Sequence, residues 1–287
     1  MSALAHRALV SAQALGAALQ DPSLRLVDAR ALLSDPAAGR AAWALSHLPG
    51  AVHADLERDL SDHGRSGQGR HPLPEADAFA CRLGQWGIGP GHTVVAYDAG
   101  DGSMAAARLW WMLKLLGHER VAVLDGGLAA WRAAGLPETG AVDAPPALPP
   151  YPVRQFDPAR IVDADTVLAR LGEAPGWLLD ARAGERFRGE VEPIDPVAGH
   201  VPGAINRPFA LNLRDGRFRP AAELRAELEP LLHGRAPSQV VLMCGSGVTA
   251  CHLLLAMEHA GLAGAKVYAG SWSGWISDRS RPLATGP

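Results

Sequence analysis

Short runs of aliphatic and β-branched residues alternate along this chain with longer stretches whose apolar positions recur at helical spacing. The runs are Leu24–Val27, Val94–Tyr97 and Val121–Leu124 in the first half, and Trp177–Leu179, Val240–Met243 and Lys266–Tyr268 in the second. Regular alternation of strand-like and helix-like segments predicts an α/β fold in which a mainly parallel sheet carries helices on both faces. Ligands of such sheets sit beyond the carboxyl ends of strands. Residues that directly follow a strand are therefore the first candidates for chemistry.

The pattern occurs twice. LVDAR at Leu26–Arg30 returns as LLDAR at Leu178–Arg182, and HLPGAVHADL from His47 returns as HVPGAINRPF from His200. VVAYD, ending at Asp98, matches VVLMC, ending at Cys244, and LDGGLAAW, ending at Trp131, matches YAGSWSGW, ending at Trp275. Four blocks in the same order at similar spacing mean two copies of one domain. Between them runs APPALPPYP, Ala144–Pro152, whose prolines predict an extended, stiff spacer. The expected organisation is a first domain over 1–141, a proline-rich linker over 142–158 and a second domain over 159–287. Asp28 and Asp180 recur at strand ends and read as loop-fixing groups. His47 and His200 head turns of one form, so at least one of them reads as a structural turn residue.

Composition narrows the function. The chain has 287 residues, 48% hydrophobic and 20% charged, which is ordinary for globular domains. A formal net charge of -3 gives no electrostatic case for nucleic acid or an anionic membrane as partner. No run approaches the roughly 18 apolar residues of a membrane span. The three cysteines, Cys81, Cys244 and Cys251, form no CxxC pair; they argue against a disulfide framework or a zinc site and fit a reducing compartment. The apolar-leaning start, interrupted by His6, Arg7 and Gln13, reads as a short helix without a leader, so the expected location is cytoplasmic. No metal or cofactor is expected.

One cysteine stands apart. Cys244 ends a strand and is followed by Gly245-Ser246-Gly247, with Thr249 opening a helix over Ala250–His259. Glycines there let backbone N–H groups curl inward, and a helix N-terminus adds partial positive charge, which favours an anionic sulfur or a bound oxyanion. A phosphatase-type loop needs an arginine in the pattern C-x5-R, but that position is Ala250 and no Arg or Lys lies between Cys244 and Lys266. No cysteine-protease signature is present. Cys81 and Cys251 lack such neighbours and read as buried and inert. DHGRSGQGRHPLP, from Asp62, is Gly-rich and basic but lacks GxxxxGK[ST]; it reads as a loop between first-copy elements that covers the active site.

The tandem copies, GHVPGAIN, and CGSGVTAC followed by GSWSGW resemble the two-domain rhodanese family of sulfurtransferases, closest to its 3-mercaptopyruvate-using branch. The resemblance implies that Cys244 cycles between thiolate and persulfide, and that the first copy, with Asp98 in the nucleophile's place, is inactive. It implies amide donors at Gly245, Gly247, Val248 and Thr249 around the sulfur, and a proton relay of Ser246 with His47, oriented by Asp35. It also implies Arg186 as the carboxylate-binding arginine. A second arginine expected nine residues on is Asp195 here, and Arg188 is the open replacement. Sulfur would pass from a small-molecule donor to cyanide, a small thiol or a thioredoxin-like protein. Thiosulfate stays open as an alternative donor, and a non-catalytic binding or regulatory module is the reading from a different class.

Overall fold

The structure is a computed structural model that describes residues 7–102 and 105–287. Residues 1–6, part of the expected N-terminal helix, lie outside them. The chain forms two compact units: one holds the chain up to Asp62 together with Leu73–Asp157, the other His63–Pro72 together with Pro158–Pro287.

The first unit contains β1 (Leu9–Val10), α1 (Ala12–Ala17), β2 (Leu24–Asp28), α2 (Ala38–Leu45), β3 (Val52–His53), α3 (Ala76–Gln85), β4 (Thr93–Tyr97), α4 (Ala105–Leu115), β5 (Val121–Leu124) and α5 (Gly127–Ala133). Its sheet is parallel in the order β1-β5-β4-β2-β3. The second contains β6 (Ile161–Val162), α6 (Ala164–Ala169), β7 (Leu178–Asp180), α7 (Gly184–Phe187), β8 (Ile205–Asn206), β9 (Leu213–Arg214), β10 (Arg217–Phe218), α8 (Ala221–Leu228), β11 (Val241–Met243), α9 (Thr249–His259), β12 (Lys266–Tyr268) and α10 (Ser271–Trp275). Its main sheet is also parallel, in the order β6-β12-β11-β7-β8, and β9 and β10 form a separate antiparallel pair. Strand for strand the two orders are the same, as the repeat predicts.

Local sequence explains the elements. β4 and β11 are buried at every position, which suits a parallel sheet covered on both faces and unbroken apolar runs. The first helix of each unit starts at a capping side chain: Ser11 Oγ accepts from Ala14 N at 3.2 Å, and Asp163 Oδ1 from Thr166 N at 2.8 Å. The cores also correspond. Trp131 packs with Leu26, Val95 and Leu124, and Trp275 with Leu178, Val241 and Tyr268.

The repeated DAR motif acts as a stitch. Arg30 Nη2 bonds Asp28 at 2.6 Å and the Ser46 carbonyl at 2.6 Å, while Arg182 Nη2 bonds Asp180 at 2.7 Å and the Gly199 carbonyl at 2.8 Å. In each unit a buried ion pair thus ties a strand end to the residue just before a motif-heading histidine.

The proline-rich segment differs from a free spacer. Leu148 N donates to Gly84 O at 2.8 Å and Tyr151 N to Ala80 O at 2.9 Å, which fastens the segment along α3. Among the described residues no helix is long and apolar enough to cross a membrane, and no cluster of His, Cys, Asp or Glu could hold a metal ion.

Candidate active site

β11 delivers Cys244 to the carboxyl edge of the second sheet, where only 1% of it is exposed. The turn that follows depends on Gly247. Its φ is +78°, and a Cβ there would stand 2.3 Å from the Ala269 carbonyl oxygen, so no other residue fits. The turn aims the Gly247 N–H at Cys244 Sγ, 3.1 Å away. Val248, buried, caps α9, and half-buried Thr249 is its first residue, so the positive end of an 11-residue helix begins within the same turn.

Ser271 lies under the sulfur. Its Oγ accepts the Cys244 N–H at 3.0 Å, donates to Tyr268 O at 2.9 Å and lies 4.0 Å from Cys244 Sγ. It is also one of the few non-glycine residues with positive φ, at +51°. The matching residue of the first copy is Gly127, with the same φ of +51°. The second copy therefore holds a strained conformation where the first has the residue that relieves it.

Ser246 Oγ is 2.8 Å from Nδ1 of buried His71. The histidine expected to pair with Ser246 is His47, which the structure engages otherwise. The His47 ring is fully buried and stacked on Trp43, with Nδ1 2.7 Å from the Trp43 carbonyl and Nε2 3.1 Å from the Ala141 carbonyl. Its backbone forms a two-way bridge with Thr139, just as His200 does with Ala284. His200 likewise stacks on Phe187 and bonds its carbonyl. Both motif histidines fix turns. Asp35 accepts the Ala37 N–H and shapes a turn of its own. His71 was missed because it lies far from Cys244 in sequence, inside the basic glycine-rich stretch whose composition was its only signal.

Arg186, on α7, makes a fork to Glu192 through Nε and Nη2, at 2.6 Å from Nη2, and Nη2 also lies 3.1 Å from Asp195. The other oxygen of Asp195 takes Nη1 of Arg70. Burial pushes the Asp195 carboxyl up, with the Arg70 charge pulling it back. Burial also opposes ionisation of Glu192, but hydrogen bonds from Arg186 and the Asp195 and Ile194 amides outweigh it and hold Glu192 below the usual carboxylate range. Gly245 lies beneath these guanidiniums: a Cβ there would stand 3.1 Å from Arg70 Nη2 and 3.6 Å from Arg186 Nη1. Arg188 is paired with exposed Glu190.

The first copy closes its loop on itself. Asp98 Oδ1 accepts from Gly100 N at 3.1 Å and Gly102 N at 3.0 Å, so a carboxylate occupies the amides that an anionic ligand would use.

The model of the rhodanese-like domain matches this chain twice, over residues 11–134 and 163–278. A protein of Pseudomonas aeruginosa provisionally named a 3-mercaptopyruvate sulfurtransferase is 50% identical over 97% of this chain and 98% of its own length. A Mycobacterium tuberculosis protein provisionally named a thiosulfate sulfurtransferase is 42% identical over 97% of each chain. Among solved structures, the 3-mercaptopyruvate sulfurtransferase of Leishmania major superposes with a TM-score of 0.82 at 30% identity, covering 93% of this chain and 74% of that one. The repeated fold, the cysteine at its strand end and these matches agree: the chain belongs to the rhodanese-like family, among its two-domain sulfurtransferases.

Proposed function

We propose that this protein takes a sulfane sulfur from 3-mercaptopyruvate onto Cys244 and passes it to a thiol or to cyanide. The observation that carries the choice of donor is the 2.8 Å pairing of His71 with Ser246, two residues from the nucleophile. The Cys244 thiolate attacks the donor's thiol sulfur, the sulfur–carbon bond breaks, and its electron pair goes to carbon as the enolate of pyruvate. That enolate must gain a proton, and the donor's own thiol proton is the one released. A hydroxyl paired with an imidazole relays it to carbon, the kind of transfer worth roughly 10²–10⁴ in rate.

The product is a Cys244 persulfide anion. The Gly247 N–H and the start of α9 support its charge, and a thiolate or cyanide then attacks the outer sulfur and restores the Cys244 thiolate. Arg186 is the charged group suited to the donor's carboxylate. An acceptor such as a small thiol or a thioredoxin-like protein suits this chemistry equally.

Thiosulfate is the second reading. Two guanidiniums over Gly245 supply the cations that a compact dianion favours, and one close relative bears that name. Its leaving sulfite needs no proton on carbon. Steady-state assays with both donors separate the readings: wild type favours mercaptopyruvate in kcat/KM, and Ser246→Ala lowers kcat on mercaptopyruvate at least 10-fold while thiosulfate turnover changes less. Equal or better kcat/KM with thiosulfate in wild type removes the donor assignment. Intact mass after donor treatment shows one added sulfur, absent in Cys244→Ser; no gain with either donor would leave the binding-module reading standing.

A further inference from the structure

The position where the resemblance leads one to expect a second arginine holds Asp195, yet the site still contains two convergent guanidiniums. One is Arg186; the other is Arg70, from the loop over His63–Pro72. Asp195 bonds one terminal nitrogen of each, Nη2 of Arg186 at 3.1 Å and Nη1 of Arg70. The remaining terminal nitrogens, Arg70 Nη2 and Arg186 Nη1, both face Gly245, the residue after the nucleophile. We propose that Arg70 is the second carboxylate-binding guanidinium of the donor site, and that Asp195 is a positioning residue that splays the two arginines around one substrate carboxylate. This rests on the reading of the donor as a keto acid.

The geometry supports the role in three ways. First, a carboxylate has two oxygens, and two guanidinium edges at a fixed separation match them better than one flexible cation does. Second, both arginines are held before substrate arrives. Glu192 and Asp195 bracket Arg186, while Arg70 is tied through its side chain to Asp195 and through its backbone N–H to Ser273 Oγ at 3.0 Å. Little side-chain freedom is left to lose on binding. Third, Gly245 leaves the α-carbon face bare where the nitrogens converge, and any side chain there would press on Arg70. Three bonds separate the sulfur of mercaptopyruvate from its carboxylate carbon, a reach that suits a sulfur at Cys244 and a carboxylate over the next residue.

The loop joins two functions in adjacent residues, Arg70 toward the carboxylate and His71 toward Ser246. That adjacency makes the test sharp. In Arg70→Ala, KM for mercaptopyruvate should rise about 10-fold or more, the factor a charge-assisted hydrogen bond supplies, while the loss in kcat stays much smaller. Arg70→Lys, which keeps the charge without the fork, should recover part of the loss. Competitive inhibition by pyruvate should weaken in parallel. A fall in kcat as large as the rise in KM would mean that the loop had lost its placement of His71, and would overturn the assignment.

Asp195→Asn gives a test of opposite sign. If Asp195 merely neutralises the site, removing its charge strengthens donor binding and lowers KM; if it positions the arginines, KM rises. A fall in KM overturns the positioning role. Should wild type prefer thiosulfate, the donor reading fails by itself, and pyruvate inhibition then decides on Arg70: a Ki at least 10-fold higher in Arg70→Ala supports the carboxylate site, and an unchanged Ki rejects it.

Discussion

Ser271 shows how one residue can be strained for a purpose. A non-glycine residue at φ +51° costs on the order of 1 kcal/mol or more, and the first copy avoids that cost with Gly127. The serine hydroxyl instead satisfies the buried Cys244 N–H, a group whose loss of partner costs roughly 1–3 kcal/mol. Two substitutions separate the effects. Ser271→Ala keeps the strain and loses the bond, so its Tm should fall; Ser271→Gly loses the bond but relieves the strain, so its Tm should fall less. Both should slow persulfide formation at Cys244, followed by intact mass, because the sulfur loses the hydroxyl that lies beside it. A faster Ser271→Gly enzyme would show that the hydroxyl only fills space. Cys244 was readable from sequence because glycines, strand end and helix start lie within a few residues of it. Ser271 was not, since nothing in GSWSGW announces a positive φ.

At the scale of elements, the repeat made the two sheets legible, strand for strand, because buried parallel strands are unbroken apolar runs. Two segments resisted. The proline-rich stretch reads as a spacer, yet its backbone N–H groups bond to α3, and its Tyr151 hydroxyl lies 2.9 Å from Nδ1 of His118. Hydrogen bonds to remote partners leave no periodicity to find. Burial pushes the His118 pKa down to about 4 from 6.5. The unfolded chain therefore takes up a proton, as pH falls through 6.5, that the folded form refuses until about 4. Stability is full above that window and declines across it by up to about 3 kcal/mol. Urea midpoints at pH 7.5 and pH 5 should fall by less in His118→Gln than in wild type; equal pH dependence would mean that other groups govern the acid limb. The second such segment was the loop over His63–Pro72, recognisable as basic and glycine-rich, but silent about which of its residues meets which partner.

At the scale of the molecule, the chain is two copies of one domain whose boundaries in space are not those in sequence. The loop over His63–Pro72 lies between β3 and α3 in sequence but packs with the second unit. Gly69 marks the contact: its φ is +92°, and a Cβ there would stand 2.5 Å from the Gly270 carbonyl oxygen. On the proposed roles of His71 and Arg70, replacing Arg65–His71 with a glycine-serine stretch of equal length should lower kcat/KM on mercaptopyruvate by about 10²-fold or more. Persulfide formed on Cys244 from a large excess of donor should still appear on intact mass, because the nucleophile's own turn is untouched. Full activity in that variant would show that neither Arg70 nor His71 takes part.

The same crossing bears on what the first copy contributes to the protein. Its residue at the position of Cys244 is Asp98, whose carboxylate accepts from the Gly100 and Gly102 amides. Yet a short loop that lies within it in sequence packs with the second unit in space. A half of the chain cut at the proline-rich segment would therefore carry either Cys244 or the loop with Arg70 and His71, and not both.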